Sequence, residues 1–297
     1  MVRTMSLPPL VRFGLAVSVS GTLLYLAMAC SDGVTPGDDI DELLVVQGNA
    51  AWIVALDGTQ REALPFVVPG VLEPSVDWSP DANRIVVGGF DGFRVFDLVT
   101  GQVTPAAWPG GSAGDNVIWP RFSPSGDRVI YSANPGTGWD LREADLDATE
   151  ASVVVAAGAY PEEDLMPDWS PDGGSFVFTS DREQNNLYLL RIADADGSNQ
   201  RTIDIEGVTP VWSPDGSLIA YQELGVVGVV SPDGVSVRRS WNPGWSKGVT
   251  WSPDSDHLVG LNQGVIEVLD VATGAVTAHP ELGTGVSAVA WRPSGSP

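Results

Sequence analysis

The sequence predicts an all-β fold, a six-bladed β-propeller, on three observations. An aromatic residue followed by a Ser-Pro-Asp-Gly-like turn occurs six times. The copies begin at Trp78, Phe122, Trp169, Trp212, Trp251 and Trp291. These aromatics are spaced 44, 47, 43, 39 and 40 residues apart. A period of about 40 residues with strand-like flanks is the signature of a propeller with one four-stranded blade per repeat. The third observation is a mismatch between the two ends. The N-terminal segment offers strands with no marker, and the C-terminal segment offers a marked strand with no partners.

Each element follows from the repeat. We name the four strands of a blade A to D, with A ending at the aromatic. In the A–B turn, Pro presets φ at the second position, Asp tolerates the third and Gly takes the positive φ that often closes it. The leading Ser can hydrogen-bond the backbone ahead of it. Strand B follows, as at Arg84 to Val87, Arg128 to Tyr131, Ser175 to Phe178, Ser217 to Tyr221 and His257 to Val259. Strand C comes next, at Phe93 to Phe96, Leu187 to Leu190, Val226 to Val230 and Val265 to Leu269. A Gly turn such as Gly101, Gly197 or Gly274 leads to strand D. Inner strands packed between blades are expected to be apolar on both faces.

A seventh Ser-Pro-Asp-Gly stands at Ser231 to Gly234 without an aromatic before it. Its position matches the C–D turns and not a blade start. At the N-terminal end, Leu43 to Gln47, Ala51 to Leu56 and roughly Gln60 to Val68 read as three strands. Val286 to Trp291 reads as a strand A. Together they make one blade, which would close the ring and hide two sheet edges.

The run Phe176 to Arg182, followed by Asn186-Leu187-Tyr188 and preceded by Asp168 to Gly173, resembles the WD40-like repeat of the TolB family. The same repeat occurs in the propellers of prolyl-oligopeptidase-type peptidases. The likeness is strongest at 164–204 and extends in outline over 43–297. It implies the fold. TolB proteins also carry an α/β domain before the propeller, and the peptidases a hydrolase domain. The sequence leaves room for neither, so neither activity is expected here.

Residues 1–29 read as a lipoprotein signal peptide. Arg3 and Arg12 are its basic region, Phe13 to Ala29 its mostly apolar stretch, and small residues precede Cys30, the single cysteine. Lipid attachment is expected at Cys30, and a disulfide within the chain is not. Residues 30–42, polar with Gly33, Pro36 and Gly37, read as a flexible tether. Residues 43–297 form the propeller. The expected location is extracytoplasmic, membrane-anchored, in the periplasm or at the cell surface.

Lys and Arg total 15 against 38 Asp and Glu, a formal net charge of −23. Such a balance argues against a nucleic-acid partner, which needs basic patches, and against lying flat on an anionic membrane. It suits a soluble monomer.

Little points to chemistry. The two histidines, His257 and His279, accompany no nucleophile motif, and no Gly-x-Ser-x-Gly is present. They cannot make a zinc site between them. Asp194-Ala195-Asp196-Gly197 is only a fragment of a calcium loop and reads as a hairpin turn. No cofactor, metal or catalytic residue is expected.

The eleven tryptophans say more. Five are markers and, with Phe122, are expected in the core with their ring N–H groups satisfied nearby. Trp52 opens a strand and reads as core too. Trp108, Trp119, Trp139, Trp241 and Trp245 fall outside the repeat, on or near the D–A and B–C loops, as does Tyr160. Aromatics on the loops of one face, mixed with carboxylates, have the composition of a recognition surface. Their other role would be to cap blade ends against solvent.

The leading expectation is a module that binds a protein or cell-envelope ligand through these six residues, without catalysis. The alternative is a carboxylate- or metal-dependent hydrolase or lyase at the mouth of the central channel. A third is a purely structural role.

Overall fold

The structure is a computed structural model. It describes residues 41–68, 75–89, 92–105, 116–134, 138–146, 151–155, 162–182 and 187–294. The chain divides into two units, and every described residue belongs to the second, Asp39–Pro297. Cys30, Trp108 and Tyr160 lie outside the described residues.

The described strands are all antiparallel in their pairing, in sets of four. The first set is β1 (Glu42–Gln47), β2 (Ala50–Ala55) and β3 (Arg61–Val67), joined beside β1 by β24 (Val286–Trp291). The second is β4 (Val76–Trp78), β5 (Arg84–Gly89), β6 (Gly92–Asp97) and β7 (Val103–Pro105). The third is β8 (Asn116–Phe122), β9 (Arg128–Asn134), β10 (Asp140–Asp145) and β11 (Ala151–Val155). Then come β12 (Asp164–Trp169), β13 (Ser175–Ser180), β14 (Leu189–Asp194) and β15 (Arg201–Glu206). The next set is β16 (Val208–Trp212), β17 (Ile219–Glu223), β18 (Val226–Val230) and β19 (Arg238–Trp241). The last is β20 (Lys247–Trp251), β21 (His257–Asn262), β22 (Val265–Asp270) and β23 (Val276–His279).

Two sequence expectations stand here in register. Leu43 pairs with Trp291 and Val45 with Val289, so β24 completes the set that begins at β1. The Ser231 to Gly234 turn joins β18 to β19, a C–D hairpin. One pairing was not foreseen. Gly89 pairs with Val117, which ties the second and third sets into one sheet. The approach needs the small residues there, since a Cβ on Gly88 would sit 2.8 Å from the Val117 carbonyl oxygen.

Burial follows strand position. Leu43 to Val46 in β1 and Ile85 to Val87 in β5 are fully buried, whereas β19 and β23 are mostly exposed. Inner strands are therefore covered on both faces, and the core is divided among the interfaces between sets. The innermost strands touch one another in the order β4, β8, β12, β16, β20, β24, and β24 touches β4.

The Ser-Pro-Asp turns owe their recurrence to a shared hydrogen-bond pattern. The Ser hydroxyl oxygen accepts the backbone N–H of the residue five positions on. The distances are 2.9 Å at Arg84, 3.0 Å at Ser175, 2.9 Å at Leu218 and 2.9 Å at His257. The same hydroxyl donates to the Asp two positions on, at 2.5 Å to Asp81, 2.6 Å to Asp172 and 2.6 Å to Asp215. In the Ser170 turn this hydroxyl holds the Asp172 carboxyl below the usual range. The final residue has positive φ, at Gly126, Gly173 and Gly216 but also at Ala82 and Ser255.

The markers pack between sets. Trp78, Phe122, Trp169, Trp251 and Trp291 are buried, and Trp212 is half-buried. Arginines of neighbouring sets lie over three of these rings: Arg84 over Phe122, Arg128 over Trp169 and Arg292 over Trp78. The expectation that every ring N–H is satisfied needs correcting. Trp212 Nε1 donates to the Gly216 carbonyl at 3.2 Å and Trp251 Nε1 to the Val211 carbonyl at 3.1 Å. Trp78, Trp169 and Trp291 have no acceptor among the described residues.

Candidate functional site

Two cavities lie between the six innermost strands, and each is lined by all six. One, of about 440 Å3, opens among the Ser-Pro turns, between prolines such as Pro80, Pro171 and Pro253. The other, of about 270 Å3, lies toward the D–A and B–C connections. Arg121 and Thr250 line both.

The residue just before each marker faces this space. In three consecutive sets it is charged: Asp77, Arg121 and Asp168. In the other three it is Val211, Thr250 and Ala290. The interior is thus ionic on one half and nearly apolar on the other. The Arg121 guanidinium stands 3.5 Å from Asp168 and 3.8 Å from Asp77, and donates to the Val76 carbonyl at 3.1 Å. Each carboxylate also accepts a backbone N–H from the next innermost strand. Phe122 N–H reaches Asp77 at 2.9 Å, and Trp212 N–H reaches Asp168 at 2.6 Å. Burial pushes the Asp168 carboxyl up to about 7, with Arg121 opposing the rise. Burial raises Asp77 as well.

The smaller cavity is shaped by a repeated bulge. Register shifts interrupt β8, β12, β16 and β20 three residues before the marker. The residues there, Trp119, Met166, Thr209 and Gly248, all have positive φ, and all line this cavity. Such a conformation is uncommon for any side chain but Gly, and an outlier for β-branched Thr. Bulges re-aim side chains and cluster near functional sites. Side-chain acceptors on neighbouring strands hold the bulged amides. Trp119 N–H donates to Ser75 Oγ at 2.8 Å, and Met166 N–H to Ser132 Oγ at 3.0 Å.

The expected recognition aromatics divide. Trp119 is half-buried in the cavity wall. Trp139 is half-buried and bridges to Glu163 at the B–C side of its set, where its carbonyl accepts the Asp164 N–H at 3.0 Å. Trp241 ends β19 half-buried and packs on Gly274 of the next set, where a Cβ would strike its indole. Trp245 is a correction: it is 2% exposed and belongs to the core. Its indole fills the space over Gly260 in mid-strand β21, which any Cβ would occupy, and its Nε1 donates to Glu267 at 2.8 Å. A glycine inside a strand is the signal that could have revealed this.

Missed in the sequence were Asp77, Arg121 and Asp168, together with Met166, Thr209, Gln222 and Lys247 around the smaller cavity. The first three were open to a column-wise reading of the repeat, because the residue before a marker always occupies the same place. Among the described residues no group of three or more His, Cys, Asp or Glu could hold a metal ion.

Comparison with known proteins bears on the fold. No protein-family model matches the chain. TolB from Acinetobacter baumannii superposes with a TM-score of 0.66 at 20% identity, covering 86% of this chain and 66% of that one. The fold is a TolB-like β-propeller. This TolB-like chain also superposes on a chain of the nidogen/laminin complex, with a TM-score of 0.70 at 13% identity, covering 86% and 100%. In sequence it is 29% identical to the uncharacterized peptidase YuxL of Bacillus subtilis over 175 residues, 55% of this chain and 26% of that protein. It is 32% identical to the Tol-Pal system protein TolB of Methylococcus capsulatus over 131 residues, 40% of this chain and 31% of that protein. The TolB-like chain spans between a fifth and about a half of the length of the curated relatives it matches.

Proposed function

We propose that the chain is a lipid-anchored, extracytoplasmic binding module: a closed ring of six blades that engages a protein or cell-envelope ligand at its D–A/B–C end, without catalysis. The observation that carries the reading is Trp119. A large aromatic is held at positive φ, half-buried, in the wall of a cavity at that end. Strain of this kind persists where the surroundings impose it, and it gathers at ligand sites. The cyclic contacts of the innermost strands and the β24–β1 pairing support six blades and closure. The likeness to proteins named for the Tol-Pal system supports an envelope protein as the partner. Cys30 supports the anchor, with the chain acting as a monomer tethered by residues 30–42.

Crosslinking in the native envelope, with identification of the crosslinked species, tests this. A discrete partner should be lost with Trp119→Ala while the melting temperature stays near the parent's. Retention of the same crosslinks would count against the Trp119 site. Cys30→Ser should leave the membrane fraction or remain unprocessed, and unchanged partition and migration would remove the anchor.

A second reading, hydrolase or lyase, is favoured by one feature. Asp168, with its raised pKa, stands beside Arg121 and Asp77 in a cavity, as acid–base groups do. Both carboxylates already tie adjacent strands through backbone amides, which is a structural use, and the binding reading is preferred.

A further inference from the structure

The smaller cavity runs against the charge of the molecule. In a chain of 38 acidic and 15 basic residues, its lining contains Arg121 and Lys247 and, among the described residues, no carboxylate. Gln222, in β17, supplies a second and independent feature. Its side chain lines the cavity and the residue is 6% exposed. Its Oε1 accepts the Thr209 hydroxyl at 3.0 Å, which turns the other end of the amide away from Thr209. Nε2 is then buried with no acceptor among the described residues. Buried amide donors are nearly always paired, so an unpaired one in a cavity wall calls for a partner from outside. The remaining wall is largely apolar, with Trp119, Met166 and Val249.

We propose that this cavity binds a carboxylate carried on a short apolar chain. One carboxylate oxygen accepts from Gln222 Nε2. Lys247 and Arg121 supply the countercharge, and the apolar stem lies against Trp119 and Met166. The proposal rests on the reading of this end as the binding end, and adds the chemistry of what enters. A carboxylate fits better than a phosphate. The charge of Arg121 is already shared with Asp77 and Asp168, so a dianion would meet those two carboxylates. Close like charges are costly in so enclosed a space. The volume of about 270 Å3 admits a group of this size.

Calorimetric titration of the full chain in detergent, with the micelle blank subtracted, tests the proposal using hexanoate, hexanamide and hexyl phosphate. Hexanoate is expected to bind about tenfold or more tightly than hexanamide, a factor typical of one charge-assisted contact. Hexyl phosphate should bind no more tightly than hexanoate. Gln222→Leu and Lys247→Gln should each weaken hexanoate about tenfold at an unchanged melting temperature, and Lys247→Arg should restore it. Absence of hexanoate binding, parity with hexanamide, preference for the phosphate, or indifference to Gln222→Leu would overturn the proposal. Envelope crosslinking that depends on Trp119, without hexanoate binding, would remove the carboxylate and leave the binding module. Hexanoate binding with Trp119-independent crosslinks would remove the module's site and leave the cavity's chemistry.

Discussion

Leu224 carries two costs at once. It is 99% exposed, and its φ is 46° in the two-residue hairpin loop with Gly225, between β17 and β18. The matching hairpin between β21 and β22 has Gln263-Gly264 in the same conformation. An L-residue in this region costs about 1–2 kcal/mol, and Asn-Gly is the preferred pair for such a loop. Leu224→Asn is therefore expected to raise stability by roughly 0.5–1 kcal/mol. Urea denaturation at equal m-value measures it, and a loss of stability would contradict the assigned turn. Asp168 makes a pH prediction. Its carboxyl is raised to about 7 by burial, above the 3.8 of an unperturbed carboxyl, so the folded chain holds its proton over a range where the unfolded chain has released it. The stabilisation is complete at low pH and is lost as pH rises through the folded value. Asp164, raised by burial to about 6, acts in the same direction. The melting temperature should fall between about pH 4 and pH 7, and Asp168→Asn should flatten the slope. An equal slope in the variant would mean that Asp168 is ionised throughout.

The Ser-Pro-Asp turn shows why a short motif marks a whole blade. One hydroxyl serves as acceptor for the first N–H of strand B and as donor to the Asp, whose carboxylate in turn accepts a backbone N–H two positions on. Ser252 is buried and makes this set of bonds with His257 and Asp254. Ser252→Ala is expected to cost about 1–3 kcal/mol, because the half-buried N–H of His257 loses its acceptor. Chemical denaturation checks the value, and a change near zero would show that water replaces the hydroxyl. The turns and most inner strands were legible because their chemistry is local. Val226 to Val230 and Val286 to Trp291 match β18 and β24 end to end. The bulges were not. At Trp119, Met166 and Thr209 the positive φ comes from pairing with strand B and from acceptors on the preceding set, and only Gly248 advertises it in composition. Trp245 was misjudged for a related reason: its slot is made by Gly260, a neighbour across the sheet.

At the scale of the molecule, stability depends on sheet edges being covered. The β1 strand is buried along Leu43 to Val46, and its two neighbours are β2 and β24. The β24 contribution comes from a segment more than two hundred residues away in sequence, held further by the Arg292 ion pair with Glu42 and by Arg292 N–H donating to the Glu42 carbonyl at 2.8 Å. Val286, Val289 and Trp291 share a core cluster with Leu43, Val45 and strand β21 residues. Removing residues 286–297 would therefore strip one side of β1, expose a row of apolar side chains and unpaired backbone groups, and take a wall from both cavities. An uncovered apolar edge strand is a template for pairing with another chain. The truncated protein is expected to self-associate, which size-exclusion chromatography with light scattering would detect, and to lose cooperative unfolding. Arg292→Ala is the milder companion. It removes the ion pair and the guanidinium over Trp78 while leaving β24 in register, so it should lower the melting temperature without association. If the truncated chain instead stays monomeric and melts as the parent does, β24 contributes nothing to the edge, and the joining of the two ends of the fold is not what holds it together.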